Sequence, residues 1–438
     1  MNKQSRFSAN HAVSSLPGPD DITRVELDNG ITVLTRSNFN SPSISVRGYI
    51  RVGSLFDPVE KLGLADFTAT ALTRGTNKRD FQAFHNALET VGATLGFNGG
   101  VHTTAFGGKS LVEDLSLLLD LLSEALRQPA FPDRYVERLR SQYLTSLTLR
   151  DQNTGEMASL AFDQIVYQGH PYSRPEEGYP QTIRSIKKED LSEFHRQHYG
   201  PDGLIIALVG AVSAEQAVEH VRKTLGNWKN PQQPEPPALP PVTPLQEEVV
   251  QKVTLPGKIQ ADVVIGAAGP PRRSEHFYPA ALGNSVLGQF GMMGRIGDAV
   301  REKAGLAYYS YSQVSGGIGP GPWAVMAGVN PANVEKAIEL IRAEIERFVT
   351  EPVSEEELDD SKANFIGRLP LAMESNSGVA SALINLERYK LGLDFYLRYA
   401  EMIKAVTPAD VLETAQRYLH PDRLAIAIAG PEGGQEAA

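Results

Sequence analysis

Arg301 and Tyr308, seven residues apart in VREKAGLAYYSYS (300–312), are the pair best suited to chemistry in this chain. Arginine offers a planar fork of donors for a carboxylate or a backbone carbonyl. A tyrosine hydroxyl can donate to an oxyanion as it forms. Taken alone, a surface arginine followed by a half-buried tyrosine is the simpler reading. Nine histidines are scattered, and only His195 and His198 stand close together, at i, i+3. A zinc site needs further ligands on neighbouring turns. The pair reads instead as surface histidines complementing a helix C-terminus. His170, in GHPYSRPEEG, reads as a structural turn with a polar cap. The stretch GLADFTATALTRGT (63–76) has the spacing of a short amphipathic helix but carries one acid, Asp66, among small and hydroxyl residues.

A glycine-rich run, GFNGGVHTTAFGGKS (96–110), alternates as a strand, with Val101, Thr103 and Ala105 on one side. Two readings stand equal. It is a bulged edge strand, or its Asn98, Gly99, Gly100, Val101 and His102 form an edge that binds substrate by accepting a peptide as an added strand.

The elements that must position these residues are mixed. ISVRGYIRVGS (44–54), LIIALVGAV (204–212) and ADVVIGAAG (261–269) read as strands. DLSLLLDLLSEALRQP (114–129), FPDRYVERLRSQYLTSLTLR (131–150, Asp133 as cap) and VEKAIELIRAEIERFVT (334–350) read as helices. Residues 287–312 read as a helix ending at Lys303–Gly305 and then a tyrosine-rich strand. The pattern predicts an α+β fold, each domain a mainly antiparallel sheet with helices on one face. No dinucleotide or Walker phosphate loop is present.

Seven of the fifteen residues in NPQQPEPPALPPVTP (230–244) are proline. Proline fixes φ and lacks a donor, so this is an extended linker. It separates an N-terminal domain (1–229) from a C-terminal domain (245–438). The halves repeat: PDGLIIALVG (201–210) matches PDRLAIAIAG (421–430) at six of ten positions. Around it IKKEDLSEFHRQHY (186–199) faces VTPADVLETAQRYL (406–419), and Pro132 and Glu137 match Pro352 and Glu357. The offset is too long for a solenoid and implies two homologous domains.

Composition narrows the function. Hydrophobic residues make up 41% and charged residues 21%, with a net charge of −10. That balance argues against a nucleic-acid binder, which needs a basic face. There is no cysteine, so disulfides and thiolate metal sites are excluded. No stretch has the length of a signal-peptide core or of a membrane span. A cytoplasmic protein without a membrane partner is the expectation.

In order along the chain, LDNGITVLTRSN, GYIRVGSLFDP, GLADF, LRQPAFPD, HPYSRPEEG, HYGPDGLIIALVG and VREKAGLAYYSYS resemble the pitrilysin and mitochondrial processing-peptidase family, peptidase M16. These are inverzincins with an H-x-x-E-H helix. The resemblance runs from about Val25 to Gly430. It implies the family's two-domain metallohydrolase fold, and the spacing of Arg301 and Tyr308 agrees with the family's arginine–tyrosine pair. The departure lies in the zinc helix. Asp66, Ala69 and Thr70 stand where His, Glu and His are required, and residues 138–150, on the helix that gives the third ligand, contain no acid.

The resemblance therefore implies a chain that binds no metal itself. It would be the accessory subunit of a heterodimeric zinc metallopeptidase, inactive alone. A homologous partner carrying H-x-x-E-H would hold the zinc, and peptides would be the substrates. Arg301 and Tyr308 would act in trans on the partner's site. The alternative is a catalytically inactive structural or peptide-binding subunit of a larger complex.

Overall fold

The computed structural model describes residues 16–289 and 294–432. The first half runs through β1 (Thr23–Glu26), β2 (Thr32–Ser37), β3 (Ser43–Ile50), α1 (Leu64–Ala71), α2 (Phe81–Thr90), β4 (Thr94–Gly99) and β5 (Thr104–Leu111). It continues with α3 (Leu115–Arg127), α4 (Asp133–Arg150), α5 (Thr154–Val166), α6 (Pro180–Ser185), α7 (Lys188–His198), β6 (Ile205–Gly210) and α8 (Ala214–Leu225). The second half begins with β7 (Val249–Thr254), β8 (Ala261–Ala268), α9 (Phe277–Gly288) and α10 (Gly294–Ile296), which leads into a wider helical turn over Gly297–Lys303. Then come β9 (Ala307–Gly316), β10 (Pro320–Val329), α11 (Val334–Thr350), α12 (Glu355–Ala372), α13 (Asn376–Arg388), α14 (Phe395–Ala405), α15 (Pro408–Tyr418) and β11 (Ala425–Gly430).

Each half builds one sheet. The strand orders are β1-β2-β6-β3-β5-β4 and β7-β11-β8-β10-β9. Apart from β1 the orders are equivalent, each with one parallel pair, β2 with β6 and β7 with β11. The remaining pairings are antiparallel. This is the α+β duplication that the sequence pattern predicts, except that each sheet carries helices on both faces rather than one, because α5 and α13 cover the second face. The matched segments 201–210 and 421–430 become the entries to, and the strands of, β6 and β11.

The halves exchange a helix. Helix α5 of the first half packs on β8 and β11 of the second sheet, and α13 of the second half packs on β3 and β6 of the first. Strand alternation makes this possible. In β11, Ala425, Ala427 and Ala429 face Ala158, Ala161 and Phe162 of α5, while Ile426 and Ile428 join the second half's main core. In the first sheet Leu34, Tyr49, Ile205, Ala207 and Val209 share a core with Val379, Leu383 and Leu386 of α13. Burying one large apolar side chain contributes about 1.5–3 kcal/mol. Polar contacts fix the crossing as well. Arg24 grips Glu387 through two nitrogens at 3.0 and 2.8 Å, and Asn376 Nδ2 donates to the Ser43 carbonyl at 3.0 Å.

Residues 230–244 carry no helix or strand. The segment is tied down at both ends rather than swinging free, since Val242 packs into the core between α5 and the second sheet while its start is held to the first half. Gln233 exchanges hydrogen bonds with the Asp202 backbone at 3.0 Å each, and Asn230 Nδ2 donates to the Tyr199 carbonyl at 3.0 Å.

Three local expectations need correction. The run 96–110 is not one strand but a hairpin, β4 and β5, with Gly99 paired to Thr104 across a turn over 100–103. Alternation alone does not show where a strand folds back. Asp133 is the first residue of α4 and makes no cap hydrogen bond; Pro132 holds the N-cap position. His195 and His198 are partly buried, not surface residues. His195 Nε2 lies 2.8 Å from the Leu126 carbonyl, and burial lowers its pKa to about 4. His198 lies between Phe56 and Phe194, each ring centroid 4.6 Å away at a tilted angle.

Candidate functional site

Helix α1 is placed from outside its own sequence. Gly63, at φ +95°, turns the chain into the helix, and a Cβ there would sit 2.7 Å from the Glu177 carbonyl oxygen. Asp57 supplies the cap, accepting from Gly63 N at 2.9 Å and Ala65 N at 2.8 Å. Leu64, Phe67, Thr68 and Ala71 are buried on one face, which is committed to packing. Gly99 of β4 lies against the opposite face, where an added Cβ would meet Asp66 Cα at 2.5 Å.

The part of α1 where the resemblance puts the zinc motif is closed by hydrogen bonds. Tyr143 of α4 donates to Asp66 Oδ2 at 2.7 Å, and Gly99 N donates to Oδ1 at 3.2 Å. The same tyrosine oxygen stands 2.9 Å from Thr70 Oγ1. Burial raises the Asp66 pKa, and the Tyr143 bond partly offsets that. These residues border a cavity of about 550 Å³ that Glu156 and Glu177 also line. Ala69 has no ligand atom, Thr70 is engaged, and α4 presents Gln142, Tyr143 and Ser146 to the cavity. Among the described residues no three His, Cys, Asp or Glu side chains converge to hold a metal ion. This donor set does not fit zinc, which takes three protein ligands at a catalytic site.

Arg301 lies in the wider turn over Gly297–Lys303, which ends at Gly305. That glycine has φ +65° and donates its N–H to the Arg301 carbonyl at 3.1 Å. A left-handed glycine of this kind releases the chain from a helix, and here the chain enters β9, the edge strand of the second sheet. Arg301 stands 3.6 Å from Glu302 and is partly exposed. Tyr308 is 65% exposed. On β10, Gly328 pairs with Tyr309 and Val329 with Ala307, so Tyr308 is the extra residue of a β-bulge. A bulge turns a side chain away from the ordinary alternation. Among the described residues no hydrogen bond joins Arg301, in the helical turn, to Tyr308, on the edge strand.

The predicted peptide edge is narrower than its sequence. Asn98 is exposed on β4, the edge strand of the first sheet. The Gly100 and Val101 carbonyls already accept from Ser54 N at 3.0 Å and Leu55 N at 3.1 Å. His102 points instead toward a second cavity, of about 590 Å³, between the halves. Its Nε2 is 2.6 Å from the Tyr172 hydroxyl, which accepts from Gly319 N at 3.0 Å. Burial, and then Arg388, lowers the His102 pKa to about 4. Glu176 and Asp163 line the same cavity, each pushed up to about 7 by burial. Neither Arg301 nor Tyr308 is among its described lining residues. Sequence reasoning missed Asp163 and Glu176. The segment HPYSRPEEG was singled out, but His170 does cap a turn through Nδ1 and Tyr172 N, and that role hid its neighbours.

Comparison with known proteins settles the family. Residues 32–178 match the model of insulinase (peptidase family M16), and residues 185–365 match that of the peptidase M16 inactive domain. The chain belongs to peptidase family M16. It is 25% identical to an uncharacterized zinc protease of Streptomyces coelicolor over 96% of this chain and 92% of that protein. It is also 25% identical to the mitochondrial-processing peptidase subunit beta of Saccharomyces cerevisiae over 84% and 81%. In fold it resembles a peptidase M16 inactive domain from Pseudomonas fluorescens, with a TM-score of 0.88, 24% identity and coverage of 95% and 99%. No described helix of this M16 chain is long and apolar enough to cross a membrane.

Proposed function

We propose that this M16 chain is the non-zinc subunit of a two-chain metallopeptidase that hydrolyses peptides. A homologous subunit with H-x-x-E-H completes the site. Tyr308 carries the reading. A large side chain lifted out by a bulge, 65% exposed on an edge strand, is available to a group outside its own chain. In the complex Tyr308 donates to the oxyanion of the tetrahedral intermediate. Arg301 binds a substrate carbonyl or orients the tyrosine. That a relative is named as a subunit supports the division of labour.

A structural or peptide-binding subunit is the second reading, and the cavity between the halves, which His102, Asp163 and Glu176 line, favours it. One experiment separates the two. The chain is co-purified with its partner from the native source, and peptide hydrolysis is compared for wild type, Tyr308→Phe and Arg301→Ala. Losing an oxyanion donor lowers kcat by about 10²–10³. Full activity in both variants removes the assigned roles, and hydrolysis by the isolated chain removes the division between subunits.

A further inference from the structure

We infer that Asp262 and Tyr309 are positioning residues for Tyr308, holding the bulge in the one shape that turns its side chain outward. The inference rests on the reading of Tyr308 given above.

Three residues form a lateral row across the second sheet. Asp262 on β8 pairs with Gly328 on β10, and Gly328 pairs with Tyr309 on β9. The middle position is bare. A Cβ on Gly328 would stand 2.5 Å from Tyr309 Cε1 and 2.7 Å from Gln260 Nε2. The tyrosine ring therefore lies across the glycine, and its hydroxyl donates to Asp262. Asp262 is 2% exposed. Its carboxylate also accepts from Thr154 and, at 3.0 Å, from Gln260 Nε2. A buried carboxylate with three donors is a rigid anchor, because freeing any donor leaves charge unsatisfied in low dielectric.

The bulge gives this anchor a use. An extra residue in a ladder has no partner strand to orient it. The direction of Tyr308 is fixed by its two neighbours, Ala307 paired to Val329 and Tyr309 paired to Gly328. Only Tyr309 of these has a side chain tied into the sheet. The anchor also reaches across the halves, since Thr154 is the first residue of the exchanged helix α5.

The test is a double-mutant cycle in the two-chain enzyme. Tyr309→Phe keeps the ring and removes the hydroxyl. A misplacement near 1 Å costs about 10²-fold, so kcat should fall by about tenfold to a hundredfold with KM little changed. In a Tyr308→Phe background the same substitution should cost nothing more, because it acts through a hydroxyl already gone. In the isolated chain, amide hydrogen exchange over 307–310 should quicken in Tyr309→Phe, a readout that needs no partner. A loss of equal size in both backgrounds overturns the inference while leaving Tyr308 its role. So does a Tyr309→Phe variant with wild-type kcat or unchanged exchange. Full activity in Tyr308→Phe alone overturns the underlying reading, and the inference with it.

Discussion

The Tyr143 hydroxyl donates to Asp66 across 2.7 Å, joining α4 to α1 where the family's metal ligands belong. The bond ties the two helices through an ordinary polar contact. It also stabilises a carboxylate that burial alone would disfavour. Tyr143→Phe leaves Asp66 with the Gly99 N–H at 3.2 Å as its remaining donor. An unsatisfied buried acceptor costs about 1–3 kcal/mol. Urea unfolding of Tyr143→Phe should show a loss of that size with an unchanged m-value. A variant as stable as wild type would mean that water replaces the tyrosine and that the contact is incidental.

The pH dependence of stability follows chiefly from the buried acids, opposed between about 6.5 and 4 by His102 and His195, which burial keeps neutral and which cost stability as pH falls through that range. Asp57, Asp163 and Glu176 are each raised to about 7, chiefly by burial. Their ordinary values are 3.8 for the aspartates and 4.5 for the glutamate. The folded chain thus holds protons that the unfolded chain has released, and stability falls as pH rises from about 4 to about 7. Glu357 works in the opposite sense. Arg295, bound through two nitrogens at 2.8 and 2.7 Å, holds it down to about 2. Its contribution is present above the ordinary 4.5 and is lost as pH falls toward 2. Thermal melting should therefore give a higher Tm at pH 5 than at pH 8, with a decline below pH 4. Asp163→Asn and Glu176→Gln should flatten the upper limb. A Tm that rises steadily from pH 5 to pH 8 would contradict these assignments.

The exchanged helices make a prediction about cooperativity. Each half holds one tryptophan, Trp228 in the first core and Trp323 in the second. If α5 completes the second sheet and α13 the first, neither half keeps its full core alone. Single-tryptophan variants, Trp228→Phe and Trp323→Phe, should report the same urea midpoint after correction for each variant's own stability by circular dichroism. Ala427→Leu, which overfills the contact with α5, should lower both midpoints through about 1–3 kcal/mol of strain. Separate midpoints would show that the halves unfold independently and that the exchange adds little.

Much of this architecture was legible from local pattern. LIIALVGAV is a buried strand because a continuous apolar run of that length, bounded by turn residues, fits a sheet interior, and ADVVIGAAG reads as a strand despite its one acid, Asp262. The repeat PDGLIIALVG/PDRLAIAIAG marks equivalent strands of two sheets. Partner choice was not legible. The alanines of β11 look like any small apolar residues, and nothing local says that they face a helix from the other half. Glu137 and Glu357 match at the sequence offset, yet they are the fifth residue of α4 and the third of α12. They bind Arg140 and Arg295 respectively, so similar letters serve different contacts. The bulge at Tyr308 was equally hidden, because it exists only relative to Gly328 and Val329 on another strand.

Restoring the motif on α1 should not restore the metal site. Asp66→His, Ala69→Glu and Thr70→His together recreate H-x-x-E-H. Two obstacles remain. Ala69 is fully buried, so a glutamate there must displace neighbours or carry charge into the core, at a cost of several kcal/mol. The third ligand is also absent from its helix, because α4 faces the cavity with Gln142, Tyr143 and Ser146 and no acid, and the cavity's glutamates, Glu156 and Glu177, stand on other elements. Two imidazoles without a third protein ligand fall short of a catalytic zinc site. After dialysis against micromolar zinc, the triple variant should hold well under one equivalent by elemental analysis and should be less stable than wild type. One equivalent of tightly held zinc would show that the present side chains, rather than the shape of the site, are what keep the metal out. In that case α1 and α4 would still stand at ligating distance, and the Asp66–Tyr143 bond would be a late substitution within an intact cradle.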